Sequence, residues 1–287
     1  PTHAETIRSY DQLRFFARKF GQGLYNCLIC VGPPGRLKSS IIEAEAGKDA
    51  HLISGHSTPF EVFCEAQENK DRLLIIDDAD GLYREASGQR LLKNLTNPRM
   101  PKSVHWTSDA PTKRGLAKRF ETKSNVCIID NAWNANNEHI AALEDRSRLF
   151  LFDPPPVEVH REMDEQDWFY NEEIYSFVGA NLCLLPELSA RAYVKAAEAK
   201  EAGENWREYL LRSYVNPADL QMVLIEYEDE WRGLTVEEKC KEWCRRTGRC
   251  RATYFNRKRS LLADLQDRAA GAEVPMHPLV GRWSLGM

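Results

Sequence analysis

A chain of 287 residues, 43% of them hydrophobic and 29% charged, has the composition of a soluble globular protein and excludes a largely disordered one. The length predicts two or three domains. The longest apolar runs are only as long as a strand, so no membrane span is expected, and no charged-then-apolar leader is seen at the N-terminus. Eight scattered cysteines favour free thiols and a reduced, cytoplasmic protein over a disulfide framework.

The net charge of −4 hides an asymmetry along the chain. Residues 239–259 hold nine Lys or Arg and one Glu, whereas residues 158–173 hold seven acidic residues and one Arg. Basic surfaces attract polyanions and acidic surfaces repel them. The C-terminal part is therefore a candidate for binding nucleic acid, and the middle of the chain is not.

Short apolar runs alternate with stretches of helical periodicity in the first half of the chain. The predicted strands are at 24–31, 51–54, 72–76, 125–129 and 149–152. The predicted helices are at 5–20, from about 38, at 58–69, 88–95 and 137–145. This alternation predicts an α/β fold in three layers, with a parallel sheet between helices.

The second half of the chain has a different pattern. After residue 156 the strand-like runs cease and helical periodicity dominates, with a boundary at Asn216-Pro217. Three units are therefore predicted: an α/β core over about 1–156, a helical region over 157–214 and a basic helical tail over 215–287.

A glycine-containing loop lies between the first long apolar strand and the next helix. It has the order of a phosphate-binding loop, in which backbone N–H groups and a helix N-terminus surround the phosphates of a nucleotide. Lys38 would then contact the β- and γ-phosphates, and the Ser39 hydroxyl would reach Mg²⁺. The predicted nucleotide-binding residues are Gly32, Pro33, Pro34, Gly35, Arg36, Leu37, Lys38, Ser39 and Ser40.

One position of this loop departs from the pattern GxxxxGK[ST], because Leu37 stands where glycine is expected. A side chain there restricts the backbone and crowds the phosphates, which argues against fast hydrolysis more than against nucleotide binding. The alternative is a simple glycine turn that joins a strand to a helix, with Lys38 on the surface.

About forty residues further on, four apolar residues end in two acids, Asp77 and Asp78. Asp77 is predicted to hold Mg²⁺ through water, and Asp78 to orient or deprotonate the attacking water. Adjacent acids at a buried strand end are costly unless a cation is bound there. The order and spacing of the loop and the acids favour a nucleotide site over a structural turn.

With these Walker A and Walker B motifs, the chain resembles AAA+ ATPases over about residues 20–200, and more loosely their helicase-loader and transposition-helper branch. The resemblance implies bound ATP and Mg²⁺, a helical lid over 157–214 and self-association into an oligomer. By residue, Asn131 resembles the sensor 1 group that positions the lytic water, Arg146 resembles the arginine finger, with Arg148 in reserve, and Arg191 resembles sensor 2 in the lid. A finger acts on the site of a neighbouring subunit.

Each of these residues also has a structural interpretation. Asn131 can simply cap the element that follows its strand. Arg146 can be a surface charge that pairs with Asp145, and Arg191 can be a solvated residue of an amphipathic helix.

Two basic segments remain. The stretch from Lys102 to Lys123 resembles an insertion with which some AAA+ proteins grip DNA, although a solvated loop explains it as well. In the tail, Thr235 and Glu238 form a capping box before a helix, and a turn at Gly248 leads to a second helix. This pair resembles a helix–turn–helix that binds duplex DNA mainly through phosphates. The predicted nucleic-acid contacts are Arg249, Arg251, Tyr254, Arg257, Lys258 and Arg259.

The tail also permits a helical hairpin for subunit contacts, and its cysteines have no zinc-ligand spacing. The favoured function is an ATPase with DNA-associated work, such as recruiting or loading a replication, recombination or transposition partner. The alternatives are a nucleotide-gated binding switch with little hydrolysis and an ATP-dependent protein remodeller.

Overall fold

A computed structural model describes residues 4–55, 58–78, 82–83, 85–133, 138–166, 169, 171–228, 230 and 233–272. The chain divides into two compact units, Pro1–Pro154 and Pro155–Met287. No helix in the described ranges has both the length and the apolar composition of a membrane span.

The first unit is built on a six-stranded sheet in which every neighbouring pair of strands is parallel, in the order β1-β8-β2-β7-β4-β3. This confirms the predicted α/β class with a parallel sheet. The strands of the unit, including a separate antiparallel pair, are β1 (Glu5–Ile7), β2 (Cys27–Val31), β3 (Ala50–Ile53), β4 (Leu73–Asp77), β5 (Lys102–His105), β6 (Arg119–Thr122), β7 (Val126–Asp130) and β8 (Arg148–Phe152).

The central strands are buried along their whole length because helices cover both faces of the sheet. All five residues of β2 and all five of β7 are buried. Val31 of β2 lies in register with Asp130 of β7, and Asp77 of β4 lies in register with Ile129 of β7. The carboxyl ends of three adjacent strands therefore meet at one edge of the sheet.

Helices connect these strands. The helices of the first unit are α1 (Tyr10–Gly21), α2 (Lys38–Ala46), α3 (Pro59–Glu68), α4 (Ala86–Leu95), α5 (Ala110–Lys113) and α6 (Glu138–Glu144). The helix predicted over 5–20 is shorter than expected. Its first residues form β1 at the edge of the sheet, and Ser9 begins α1 through a capping box with Gln12.

The sequence did not predict the hairpin of β5 and β6, which stands apart from the main sheet. Val104 and Phe120 oppose each other on its buried face, and Phe120 packs edge-on against Phe63 of α3 at 5.4 Å. The other face is exposed and carries His105 opposite Arg119. The basic stretch from 102 to 123 is therefore a folded hairpin with one polar face, and not a loop.

The second unit is helical, and no strand occurs among its described residues. Its helices are α7 (Pro156–Asp164), α8 (Glu172–Ala180), α9 (Ala190–Glu201), α10 (Trp206–Leu211), α11 (Pro217–Tyr227), α12 (Val236–Thr247) and α13 (Arg251–Ala272). Whether 157–214 and 215–287 are separate domains stays a prediction. A hydrogen bond of 3.1 Å from the Asn181 amide to the Tyr227 hydroxyl joins the two segments.

The tail has the local geometry that the sequence indicates. Thr235 and Glu238 form the capping box of α12, and Gly248 ends that helix with a left-handed φ of 66°. The indole of Trp243 donates to the carbonyl of Ala218 at 2.8 Å and packs edge-on against Tyr254 of α13. Helices α11, α12 and α13 therefore share a core around Trp243.

Candidate functional site

The loop between β2 and α2 begins with Gly32, and any other residue at this position would force the neighbouring backbone to move. A Cβ at Gly32 would lie 2.1 Å from the backbone oxygen of Phe152. The Gly32 amide donates to the carbonyl of Asp130 at 3.1 Å, which ties the loop to the end of β7. Gly35 has a φ of 72°, which favours glycine as well.

Leu37 ends the loop in a conformation that leucine rarely adopts. Its φ of 57° and ψ of 18° are left-handed, and α2 begins at the next residue. This conformation costs a residue with a side chain about 1 kcal/mol or somewhat more. The loop thus adopts here a glycine-like conformation in spite of the leucine, and it does so at the cost of strain.

Helix α2 begins without a side-chain cap, because Leu37 has no polar group to accept from its first N–H groups. An uncapped helix N-terminus carries donors and a partial positive charge that suit an anion. The loop thus has the two features of a phosphate site, which are free N–H donors and a lysine at the first turn of the helix.

The side chain of Lys38 is turned into the loop and is 5% exposed. Its Nζ donates to the carbonyls of Gly32 at 2.7 Å and Pro33 at 2.9 Å, and to Oδ1 of Asn131 at 3.1 Å. A lysine has three donors, and all three are used. Burial lowers the pKa of Lys38, whereas the neighbouring Cys30, Asp77, Asp130 and Asp78 raise it. Lys38 is therefore not the exposed surface residue of the alternative interpretation.

The two acids at the end of β4 are in different environments. Asp77 is half-buried as the last residue of the strand, and Asp78 is exposed. Asp78 has a left-handed φ of 58°. Its amide donates to the Ile129 carbonyl at 3.2 Å and to Oδ1 of Asp77 at 3.1 Å. Strained backbone of this kind is concentrated at functional sites, where surrounding contacts hold it.

Asn131 lies between the lysine and the second acid. Its Nδ2 donates to Oδ1 of Asp78 at 3.2 Å, while its Oδ1 accepts from Lys38. Strand β7 makes this possible, because it separates β2 from β4 and ends beside both. The structure therefore brings together the lysine, the second acid and the polar residue that the sequence singled out at three distant positions.

Asp130 is a residue of this site that the sequence analysis did not single out. It is 3% exposed, and its Oδ1 accepts from the backbone amides of Asn131 at 2.6 Å and Ala132 at 3.4 Å. These bonds fix the turn that carries the Asn131 side chain. The sequence carries a signal for it, because Asp130 is the acid that directly follows the apolar run over residues 126–129.

The remaining predicted loop residues differ in exposure. Arg36 is buried, while Pro34 and Ser40 are exposed. Pro33, Gly35, Leu37 and Ser39 are half-buried. The Ser39 hydroxyl and the Asp77 carboxylate are the oxygen ligands that Mg²⁺ prefers. The residues present thus fit a magnesium–nucleotide complex.

The predicted finger and sensor 2 take no part in the hydrogen bonds that join Lys38, Asn131 and Asp78. Arg146 follows α6, is half-buried and donates from Nη1 to the Lys93 carbonyl at 3.4 Å. No ion pair between Arg146 and Asp145 occurs among the contacts of the described residues. Arg191 is exposed on α9 in the second unit, and its role as sensor 2 stays a prediction.

The tail residues do not form one exposed cationic face. Tyr254 is 2% exposed and Lys258 is 4% exposed. The structure therefore does not support these two as nucleic-acid contacts. Their spacing explains the difference, because Tyr254, Lys258 and Leu261 follow the i, i+4, i+7 pattern of the buried face of α13.

The arginines of the tail differ in their partners. Arg251 binds Glu237 at 3.0 Å and Arg257 binds Asp219 at 2.8 Å. Arg249 and Arg259 are exposed and have no ion pair within the described part of the chain. Of the six predicted contacts, these two present charge that no acid of the described residues neutralises.

No protein-family model and no curated protein matches the chain. Among solved structures, NtrX from Brucella abortus in complex with ATP is 15% identical, with a TM-score of 0.36 over 91% of this chain and 69% of that one. PCH-2 from C. elegans is 11% identical, with a TM-score of 0.37 over 67% and 61%. A katanin structure concerned with self-assembly is 16% identical, with a TM-score of 0.39 over 84% and 91%. Similarity at this level decides neither family nor function, and the geometry of the site is the stronger guide to both.

Proposed function

We propose that this protein is a P-loop ATPase of the AAA+ kind that binds ATP with Mg²⁺. One observation carries the proposal: Lys38, Asp78 and Asn131 are joined by hydrogen bonds at the carboxyl ends of β2, β4 and β7. Ligands of open parallel α/β sheets bind at this edge. The glycine loop and the uncapped start of α2 lie at the same edge.

Each residue has a role that follows from its position. The loop amides and the first turn of α2 would hold the phosphates, with Lys38 neutralising charge on the β and γ oxygens. Ser39 and Asp77 would hold Mg²⁺, which neutralises phosphate charge when it is bound. Asp78 is the group that would accept a proton from the attacking water, and Asn131 would orient that water.

Binding requires a change in the position of Lys38. Its three hydrogen bonds to Gly32, Pro33 and Asn131 occupy every donor, so phosphate oxygens have to replace at least one of them. Where a phosphate oxygen replaces the Asn131 contact, the amide that is freed is the one that also donates to Asp78. The site therefore couples phosphate arrival to the environment of the proposed base.

A nucleotide-gated switch with little hydrolysis is the second candidate. The strained Leu37 favours it, since a side chain at this position crowds the phosphates where glycine would not. Binding and turnover separate the two candidates. The ATPase requires measurable hydrolysis that Asp78→Asn abolishes without loss of ATP affinity, whereas the switch requires tight binding with no hydrolysis in the wild type.

Self-association is the further part of the proposal. Arg146 would act as the arginine finger on a neighbouring subunit, and the resemblance of the segment before β8 to the finger segment of AAA+ ATPases supports this role. Mixing an Arg146→Ala subunit with an Asp78→Asn subunit tests this role. Hybrid interfaces should restore some hydrolysis, and a monomeric mass with ATP bound and no restored activity would contradict it.

The proposed work of the ATPase is associated with DNA. The exposed Arg249 and Arg259 in the tail and the exposed Arg119 of the β5–β6 hairpin support it. A protein remodeller would need no such surfaces. Measuring ATP hydrolysis with and without DNA decides between them, since stimulation by DNA supports DNA-associated work and its absence favours a remodeller.

A further inference from the structure

A small cavity lies between α4 and the end of β5, and none of its lining residues belongs to the proposed ATP site. Its volume is about 90 Å³. Small-molecule sites usually measure about 300–1,000 Å³, so the cavity is too small for a nucleotide. It is large enough for one tetrahedral anion, because a cavity of about 15 Å³ already holds a water. Its polar lining consists of Ser87, Arg90, Asn94, His105, Trp106 and Thr107.

The lining is chemically one-sided. It combines a guanidinium, an imidazole, two hydroxyls and an amide, and no carboxylate belongs to it. Arg90 has no ion pair or hydrogen bond among the contacts of the described residues. The Ser87 hydroxyl already donates to the Glu85 carboxylate at 3.1 Å, so it is not a free donor of the lining. An arginine with unused donors, facing neutral donors, is suited to a phosphate group.

The walls of the cavity are held in place by packing. Trp106 lies against Phe60 at 5.4 Å and Phe63 at 5.5 Å, and its indole N–H donates to Ser108 at 3.0 Å. On the other wall, Gly88 lets α4 approach closely, since a Cβ there would lie 2.4 Å from the Leu82 oxygen. The polar groups are therefore presented by α4, by the end of β5 and by the two residues that follow β5.

We propose that this cavity binds a single phosphate group of a nucleic-acid backbone. The surroundings favour a polyanion over a free ion, because the exposed residues beside His105 include two cations, Arg119 in register with it and Lys123, against the single acid Glu121. A single-stranded segment that follows this face of the hairpin would place one phosphate against Arg90. The site is independent of the proposed ATP site, and only its nucleic-acid source rests on the proposed DNA-associated function.

The test uses the full chain and a labelled single-stranded oligonucleotide in a fluorescence anisotropy titration over a salt series. Arg90→Gln should weaken binding about tenfold, since a charge-assisted hydrogen bond is lost. It should also flatten the slope of log affinity against log salt by about 0.7, the contribution of one phosphate on a single strand. Lys93→Gln is the matched control, because Lys93 is an exposed cation of the same helix that does not line the cavity.

An equal loss of oligonucleotide affinity in Arg90→Gln and Lys93→Gln would show a general effect of charge and overturn the proposal. Unchanged affinity in Arg90→Gln would overturn it as well. His105→Gln tests the opposite wall. If both residues hold one phosphate, the double variant should lose less than the product of the two single losses. Binding of inorganic phosphate that requires Arg90, without any effect on the oligonucleotide, would overturn the nucleic-acid source.

Calorimetric titration of ATP into Arg90→Gln keeps the two proposals apart. ATP affinity should equal that of the wild type, because Arg90 lies outside the proposed ATP site. If the wild type binds no ATP, the ATPase proposal is contradicted, whereas the proposal of a phosphate site at Arg90 is not.

Discussion

The amide of Asn131 joins Lys38 to Asp78, accepting from the lysine at 3.1 Å and donating to the carboxylate at 3.2 Å. The bridge occupies a lysine donor that a phosphate would need. It also keeps the carboxylate hydrogen-bonded while no phosphate is present. The nucleotide-free protein is therefore stabilised by contacts that binding has to exchange, and this exchange has measurable consequences.

Asn131→Ala is expected to bind ADP more tightly, by about fivefold. The variant removes a hydrogen bond worth about 1 kcal/mol from the nucleotide-free state, and ADP has no γ-phosphate for Asn131 to contact. ATP hydrolysis should fall by orders of magnitude in the same variant, because the attacking water loses its orienting group. Calorimetry and a steady-state ATPase assay measure the two effects. ADP affinity that is unchanged or weaker in a folded variant would contradict the bridge as a barrier to binding.

Leu37→Gly should leave stability nearly unchanged and raise ATP turnover. Removing the left-handed strain gains about 1 kcal/mol, and the greater freedom of glycine in the unfolded chain loses about the same. Gly35→Ala is the contrasting variant. Gly35 has a φ of 72°, so alanine there should reduce the free energy of unfolding by about 1–2 kcal/mol. Urea denaturation measures both, and strong destabilisation by Leu37→Gly would contradict the strain assigned to this residue.

How much of this site could be predicted from the sequence depends on the element. The loop and the two acids carry their own spacing, so Lys38 and Asp77 could be assigned without a structure. The hydrogen bonds of Asn131 to Lys38 and Asp78 could not be predicted, because they depend on the position of β7 between β2 and β4 in the sheet. In the chain, β7 follows both of these strands. Strand order depends on contacts between distant segments, which local patterns do not encode.

Two errors of sequence interpretation have the same physical origin. The hairpin strands are only four residues long. In β5, Lys102 is a charged residue on the buried face, so the strand lacks the apolar–polar alternation that predicts it. In α13, the cationic composition predicts a binding surface that includes Lys258, whereas this lysine lies on the buried face of the helix. Long lysine side chains can lie along apolar surfaces, and composition does not distinguish that position from an exposed one.

Lys102 predicts a pH dependence of stability. It is 1% exposed and donates to the Ser124 carbonyl at 2.6 Å, and burial lowers its pKa from 10.5 to about 8. Between these two values the unfolded chain binds the proton more than the folded protein does, so stability rises with pH. Urea unfolding of the wild type and of Lys102→Met at several pH values from 7 to about 9 measures the difference.

The difference in unfolding free energy between the wild type and Lys102→Met separates the contribution of Lys102 from those of other titrating groups. Burial raises the pKa of Cys27 to about 12, so this thiol lowers stability as pH rises above its ordinary 9.0, which is the opposite sign. The contribution of Lys102 should therefore be measured mainly between pH 8 and 9. An identical slope in Lys102→Met would show that Lys102 does not cause the dependence.

The tail makes a prediction that depends on ion pairing. Arg249→Gln and Arg259→Gln should each weaken binding of duplex DNA and flatten the salt slope by about 0.9, the contribution of one phosphate contact on a duplex. Arg257→Gln should instead lower stability with less effect on DNA affinity, because Arg257 is bound to Asp219. Anisotropy titrations and urea unfolding measure the two effects. The reverse pattern would show that the ion pair opens in the complex.

The central claim is that Lys38 belongs to an ATP site, and calorimetric titration of ATP with Mg²⁺ tests it most directly. Lys38→Ala should weaken ATP binding about a hundredfold, because a charge-assisted contact worth about 2–3 kcal/mol is lost. Lys48→Ala, which removes an exposed lysine just beyond α2, should bind ATP like the wild type. A folded Lys38→Ala protein with wild-type ATP affinity, or a wild type that binds no nucleotide, would contradict the assignment.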